Sequence, residues 1–136
     1  MADDTTGREQ GTSGRDYVAR HAELMAGLRR IYRTVPGPMR GFNTLHTSSV
    51  ADGALPREVK ELMALAIGIT SHCEGCIAFH VHDALAAGAT RAQIEETLGV
   101  AIMMGGGPAL VYAADALTAL DQFEAATKEP DGSDSF

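Results

Sequence analysis

The sequence is short of positive charge. Its 136 residues carry 11 lysines and arginines against 18 aspartates and glutamates, a formal net charge of −7. Phosphate backbones demand clustered Lys and Arg, so this balance excludes nucleic acid as an expected partner. An anionic membrane surface is excluded on the same ground. Cysteine is scarce as well, with only Cys73 and Cys76. Residues so close in the chain enclose too small a loop to staple a fold, which excludes a disulfide scaffold. The start, Met1-Ala-Asp-Asp-Thr-Thr-Gly, lacks the basic and apolar regions of a signal peptide. No apolar run is read as a membrane span, and the uncharged stretch Leu62 to His72 is read as a buried helix. The expected compartment is a reducing cytoplasm, where a close cysteine pair is more often catalytic or metal-binding than structural.

Alternating strand patterns and internal repeats are also missing. The period that is present is helical. Apolar residues make up 45% of the chain, enough for one domain with a real core. Residues 1–14 and 128–136 are polar and are expected to be loose tails around a helical domain at 15–127. Tyr17, Leu24, Met25, Leu28, Ile31 and Tyr32 make one stripe of a helix near 15–34. Arg29, Arg30 and Arg33 fall in its last turns, where they suit the negative end of the helix dipole. Pro36-Gly37-Pro38 is expected to stop it, and a second helix is expected over 39–49. Pro56 can open a third helix running to about Thr70. A fourth covers 73–88 and closes at Gly88, a good left-handed cap. Thr90-Arg-Ala-Gln93 is a capping-box pattern for a fifth. Gly105-Gly106-Gly107 is expected to end that helix and Pro108 to start a sixth. Met103 and Met104 are expected in the core. The expected fold is therefore all-α, a compact bundle of about six helices.

On a wheel of about 100° per residue with Cys76 at zero, Cys73 lies about 60° to one side and His80 about 40° to the same side. His82 falls about 120° to the opposite side. The fourth helix therefore gathers Cys73, Cys76 and His80 on one narrow face. A thiol reacts as thiolate, and the unpaired amides at a helix start favour that charge. His80, one turn beyond Cys76, can serve as base or proton relay. The second thiol can condense with an oxidised first thiol. Two other readings compete. Zinc could take Cys73, Cys76 and His80, with His72 nearby, or the cysteines could simply pack as small hydrophobes. Glu61 stands at the edge of the uncharged stretch 62–70. Arg57 at i−4 makes an ordinary surface pair one reading of it, and proton exchange with a thiol or histidine the other. His21 and His46 have no assignable partner, and the role of Tyr112 is open.

Glu61, eleven residues, then Cys73-x-x-Cys76-x-x-x-His80 resembles the signature of the AhpD-like peroxidases of the wider carboxymuconolactone decarboxylase-like family. The resemblance spans roughly residues 17–125. It takes in Glu58-Val-Lys-Glu-Leu-Met-Ala-Leu-Ala and Met104-Gly-Gly-Gly-Pro-Ala-Leu-Val-Tyr-Ala-Ala-Asp-Ala-Leu117. It is closer to the single-repeat members than to AhpD proper. The resemblance implies a homo-oligomer, a trimer or hexamer, that reduces hydroperoxides without metal or organic cofactor. It implies Cys76 as attacking thiol, Cys73 as resolving thiol, and His80 with Glu61 as proton relay. A dithiol of lipoamide or thioredoxin type would regenerate the thiols. One departure is Gly75, where the AhpD pattern has a histidine. Two alternative functions are a redox-sensing or partner-binding oligomer with a regulatory disulfide, and a decarboxylase-like enzyme in which the cysteines are bystanders.

Overall fold

The computed structural model describes residues 14–128. The expected tails lie almost wholly outside the described residues. Each helix begins where the sequence supplies something for its first amides. Helix α1 (Tyr17–Thr34) is capped by Asp16, whose Oδ1 accepts from the Ala19 amide at 3.0 Å. Helix α2 (Pro36–Val50) has proline in its first turn, where a missing N–H costs nothing. The proline run therefore opens α2 directly after α1 ends, earlier than the expected start at 39. Helix α3 (Arg57–Thr70) follows Pro56, and Asp52 Oδ1 accepts from its first amide at 2.7 Å. Helix α4 (Glu74–Ala86) is capped by Cys73. Helix α5 (Arg91–Lys128) opens on the reciprocal Thr90–Gln93 box: the Thr90 amide donates to Gln93 Oε1 at 2.9 Å, and the Gln93 amide to Thr90 Oγ1 at 3.2 Å.

Among the described residues the architecture is all-helical, with five helices rather than about six. The fifth and sixth expected helices are two arms of α5 that join at Gly106, whose φ of 70° and ψ of −153° bend the chain there. A single residue absorbs the change of direction, so Pro108 sits in the outgoing arm without a separate turn. Gly105 is required by packing: a Cβ there would fall 2.5 Å from Ala109 Cβ and 3.1 Å from Thr70 Cγ2. The last helix runs to Lys128, one residue past the expected domain boundary.

Helices α3, α4 and α5 form the body, with α1 laid against α4 and α5, and α2 reaching α1 and touching α3. Leu65, Ile69, Ile77, Val81, Ile94 and Leu120 are fully buried between them. The facing positions of α5 are alanines (Ala109, Ala113, Ala116 and Ala119), which let the helices approach closely. The α1 stripe does not enter the core along its length. Tyr17 alone is buried, while Leu24, Met25 and Leu28 are half-buried and Ile31 and Tyr32 are exposed. The stripe faces a cavity instead of the core. Met103 and Met104 are a correction: both are about three-quarters exposed, on the outward face of α5 just before the kink. The inward row there is Ile94, Leu98 and Ala101, which leaves the methionines no core to enter. Likewise α3 buries Leu65 and Ile69 but exposes Met63 and Ile67, so the uncharged stretch is buried on one face only. Helix α5 contains an 18-residue window long and apolar enough to cross a membrane; its inward row belongs to the core just described.

Candidate functional site

The site is built at the junction of α3 and α4. Helix α3 ends in a Schellman turn: the His72 amide donates to the Ile69 carbonyl at 3.1 Å and the Cys73 amide to the Gly68 carbonyl at 3.0 Å. This turn places His72 at φ 56°, the left-handed position glycine usually takes. The next residue, Cys73, is already the N-cap of α4, and its Sγ accepts from the Cys76 amide at 3.2 Å. One short turn thus ends one helix and sets a sulfur over the first amides of the next. Cys73 and Cys76 are joined as a disulfide, with Cα atoms 5.2 Å apart. Helix α4 lies so close to α3 that a Cβ on Gly68 would fall 2.9 Å from Cys76 Cβ.

Below the disulfide, Glu61 on α3 is fully buried, the one charged residue in the core among the described residues. Its Oε2 lies 2.8 Å from His80 Nδ1. Its Oε1 has no hydrogen-bond partner; Arg57 Nε stands 3.6 Å from it. Glu61 thus contacts both Arg57 and His80, but from a buried position and not as an ordinary surface pair, and His80 is the closer. His80 sits one turn beyond Cys76 on α4, so the two side chains are neighbours along the helix. Burying a carboxylate is costly unless it is paired, and His80 and Arg57 supply the pairing.

The sulfurs and His80 open onto a cavity of about 470 Å³, within the usual size range of small-molecule sites. Leu24, Leu28, Met39, Phe42 and Phe79 give it an apolar wall, and Arg29 and His46 are among its few polar members. Gly75 leaves the floor bare between the cysteines, with only Leu24 Cδ2 within 4 Å of where its Cβ would stand. Arg29 thus lines the cavity as well as lying late in α1.

The other histidines are distributed differently. His82 turns away from the cysteines, as the wheel requires. Its Nδ1 lies 2.9 Å from Asp83 Oδ1, and its ring stacks on His21 at 4.0 Å between centroids. Burial, and then the charge of His82, holds His21 below its ordinary pKa. Burial pushes the Asp83 carboxyl up, but the His82 hydrogen bond and the charges of His82, His80 and Arg57 outweigh it and leave the carboxyl below its ordinary value. His72 is exposed and its ring stacks on Tyr112 at 4.9 Å and 10°; it does not join the cavity. That contact also answers where Tyr112 points. His46, like His21, has no partner that spacing assigns. It enters the site from α2 and packs edge-on against Phe79. The spacing Met39, Phe42, Asn43, His46 is i, i+3, i+4, i+7, a helical face that carries this information once the cavity is known.

The fold and site define a class: an all-helical protein with a Cys-x-x-Cys pair capping a buried helix, backed by a Glu–His pair and facing an apolar cavity. The sequence profile of the carboxymuconolactone decarboxylase family matches residues 36–119. An uncharacterised protein of Cupriavidus necator is 36% identical over 110 residues, covering 81% of this chain and 97% of that one. The crystal structure of a carboxymuconolactone decarboxylase family protein from Legionella pneumophila superposes with a TM-score of 0.76 at 39% identity, covering 79% of this chain and 96% of that one. A Thermotoga maritima protein of the same family shares the fold, with a TM-score of 0.73 at 24% identity over 80% of this chain and 93% of that one. The chain belongs to the carboxymuconolactone decarboxylase family, and its AhpD-like character rests on this match together with Cys73, Cys76 and His80.

Proposed function

We propose that this protein is a thiol-dependent peroxidase that cycles Cys73 and Cys76 between dithiol and disulfide. The observation that carries the reading is the convergence on one apolar cavity of the cysteine pair and His80, with buried Glu61 2.8 Å behind the imidazole. In the proposed cycle the Cys76 thiolate attacks the terminal oxygen of a hydroperoxide. The O–O bond breaks, an alcohol or water leaves with a proton from the His80–Glu61 pair, and Cys76 becomes a sulfenic acid. Cys73 then attacks that sulfur, water leaves, and the disulfide forms. An external dithiol restores both thiols and is itself oxidised. Two electrons pass from the dithiol to the peroxide in each turn. The helix start favours the thiolate before attack. The apolar walls suit an organic hydroperoxide with a hydrocarbon body. The reaction draws on no metal or organic cofactor.

The protein would work in a reducing cytoplasm, where dithiol donors are available. Copies would assemble as a trimer or hexamer, burying exposed apolar side chains such as Met63, Ile67, Met103 and Met104. Steady-state turnover of an alkyl hydroperoxide with a panel of dithiols tests the reading. Cys76→Ser is expected to abolish turnover, and Cys73→Ser to stall at an overoxidised or mixed-disulfide form. If the reduced protein keeps both thiols after a molar excess of peroxide, the reading fails. Stoichiometric but non-catalytic consumption would support the regulatory disulfide instead.

A further inference from the structure

Behind the cavity wall three side chains from three helices converge: His46 of α2, Glu61 of α3 and Asp83 of α4. A nitrogen or oxygen of each lies within 4.8 Å of one on both others. Two of these side chains also carry an orphaned atom. His46 Nε2 and Glu61 Oε1 are both inaccessible and have no hydrogen-bond partner. Glu61 as a whole is fully buried, and its other oxygen is held by His80. A buried polar atom without a partner is costly, so two such atoms on side chains that converge mark a place suited to a ligand. We infer that His46, Glu61 and Asp83 bind a divalent transition-metal cation.

The chemistry of the donors fits that class. One imidazole nitrogen and two carboxylates suit zinc, manganese or iron(II), whereas calcium and magnesium prefer all-oxygen cages. The two carboxylates balance the cation's charge. Three atoms no more than 4.8 Å apart lie within about 2.8 Å of a common centre, and metal–ligand bonds of about 2.1 Å require each to close by roughly 0.7 Å. Side-chain rotation covers that distance. The oxygens of Glu61 and Asp83 not facing the cation can keep their hydrogen bonds to His80 and His82, the support that metal-binding carboxylates ordinarily have. Arg57 opposes binding, since its Nε stands 3.6 Å from Glu61 Oε1, but its side chain is half-exposed and can swing to solvent. His46 also lines the apolar cavity, the side from which a cation would reach the site. The site is separate from any zinc at the cysteines, because neither sulfur belongs to it. It shares Glu61 with the proposed proton relay, so metal binding and thiol chemistry would compete for one carboxylate.

The test uses the full chain in its disulfide form, stripped with chelator, so that the sulfurs cannot take the metal. Zinc chloride titrated calorimetrically is expected to bind at one equivalent with micromolar affinity or better. Cobalt(II) should give visible bands of a nitrogen–oxygen site. His46→Ala and Asp83→Asn should each weaken zinc at least tenfold, and Arg57→Ala should tighten it. Because His46→Ala could loosen α2, His46→Gln, which keeps the volume, is measured beside it, with circular dichroism as the check on folding. No binding to the native chain would overturn the inference. So would binding that His46→Gln leaves unchanged, or that His21→Ala abolishes while His46→Gln does not, since the neighbouring His21–His82–Asp83 group would then be the ligand set.

Discussion

Replacing Gly68 with alanine tests how the site is held together. An added methyl group would sit 2.9 Å from Cys76 Cβ, 3.8 Å from the Cys76 carbonyl carbon and 3.9 Å from the Ile77 nitrogen. Carbon atoms in contact settle near 3.5–4.0 Å, so α4 must retreat by about 0.6–1 Å at Cys76. The nearest atom is a Cβ fixed to the helix, not the tip of a flexible side chain, so the strain falls on backbone packing between Leu65, Ile69, Ile77 and Ala78, all fully buried. Such overpacking costs about 1–3 kcal/mol. Against it stands the helix propensity of alanine over glycine, at most about 1 kcal/mol and less near a helix end. A net loss of about 1 kcal/mol is expected. Urea unfolding of the oxidised protein measures it. Gly27→Ala on α1, with nothing within 4 Å, is the control and should gain stability by up to about 1 kcal/mol. The retreat of α4 should also carry His80 away from Glu61 and slow disulfide formation beyond what the stability loss explains. If Gly68→Ala is stabilised as much as Gly27→Ala, the close approach of α3 and α4 is not real and the reasoning falls.

Other substitutions probe single features. Gly106→Ala places a side chain at φ 70°, ψ −153°, a conformation essentially reserved for glycine, and should cost about 1–3 kcal/mol in thermal or urea unfolding; an unchanged midpoint would mean the kink can relax at no cost. His72→Val puts a β-branched residue at φ 56° and removes the stack on Tyr112. It should cost about 1–3 kcal/mol in the same assay, and His72→Gly, which keeps the turn, should cost less. Tyr17→Phe should be within about 1 kcal/mol of the native chain at neutral pH, because the buried hydroxyl has no hydrogen-bond partner to lose. Burial raises the Tyr17 phenol, partly offset by the nearby Arg15. The folded state therefore keeps a proton that the unfolded state gives up above about pH 10, and native stability must fall as pH rises from there. The variant should lack this component of the alkaline slope; parallel slopes for the two proteins would refute it.

Much of the secondary structure was legible because its signals are local. Asp16, the Thr90–Gln93 box and Gly88 each act within a few residues. At Gly88 the expected cap appears with φ 98° and both Schellman hydrogen bonds, from its own amide to Leu85 and from Ala89 to Ala84. The helical wheel likewise brought Cys73, Cys76 and His80 together, because Cys76 and His80 share one rigid helix and Cys73 is its N-cap. Local signals failed where a neighbour decided the outcome. The methionines before Gly106 read as core by hydrophobicity, yet the face of α5 they occupy has no described helix against it. The proline run stops α1 as expected, but the second helix begins at Pro36 and not at 39, since proline suits a first turn as well as it breaks an interior one.

By itself the sequence determined an all-helical chain with two cysteines and a histidine on one face of its fourth helix, because helical periodicity and capping are properties of short segments. Tertiary structure alone decided which oxygen of Glu61 meets His80, that α1 and α2 enclose a cavity over the sulfurs, and that His46 and Asp83 meet behind it. Those contacts join residues on different helices, and no spacing along the chain fixes the distance at which two helices pack. That distance is set here by Gly68 against Cys76 and by the alanines of α5.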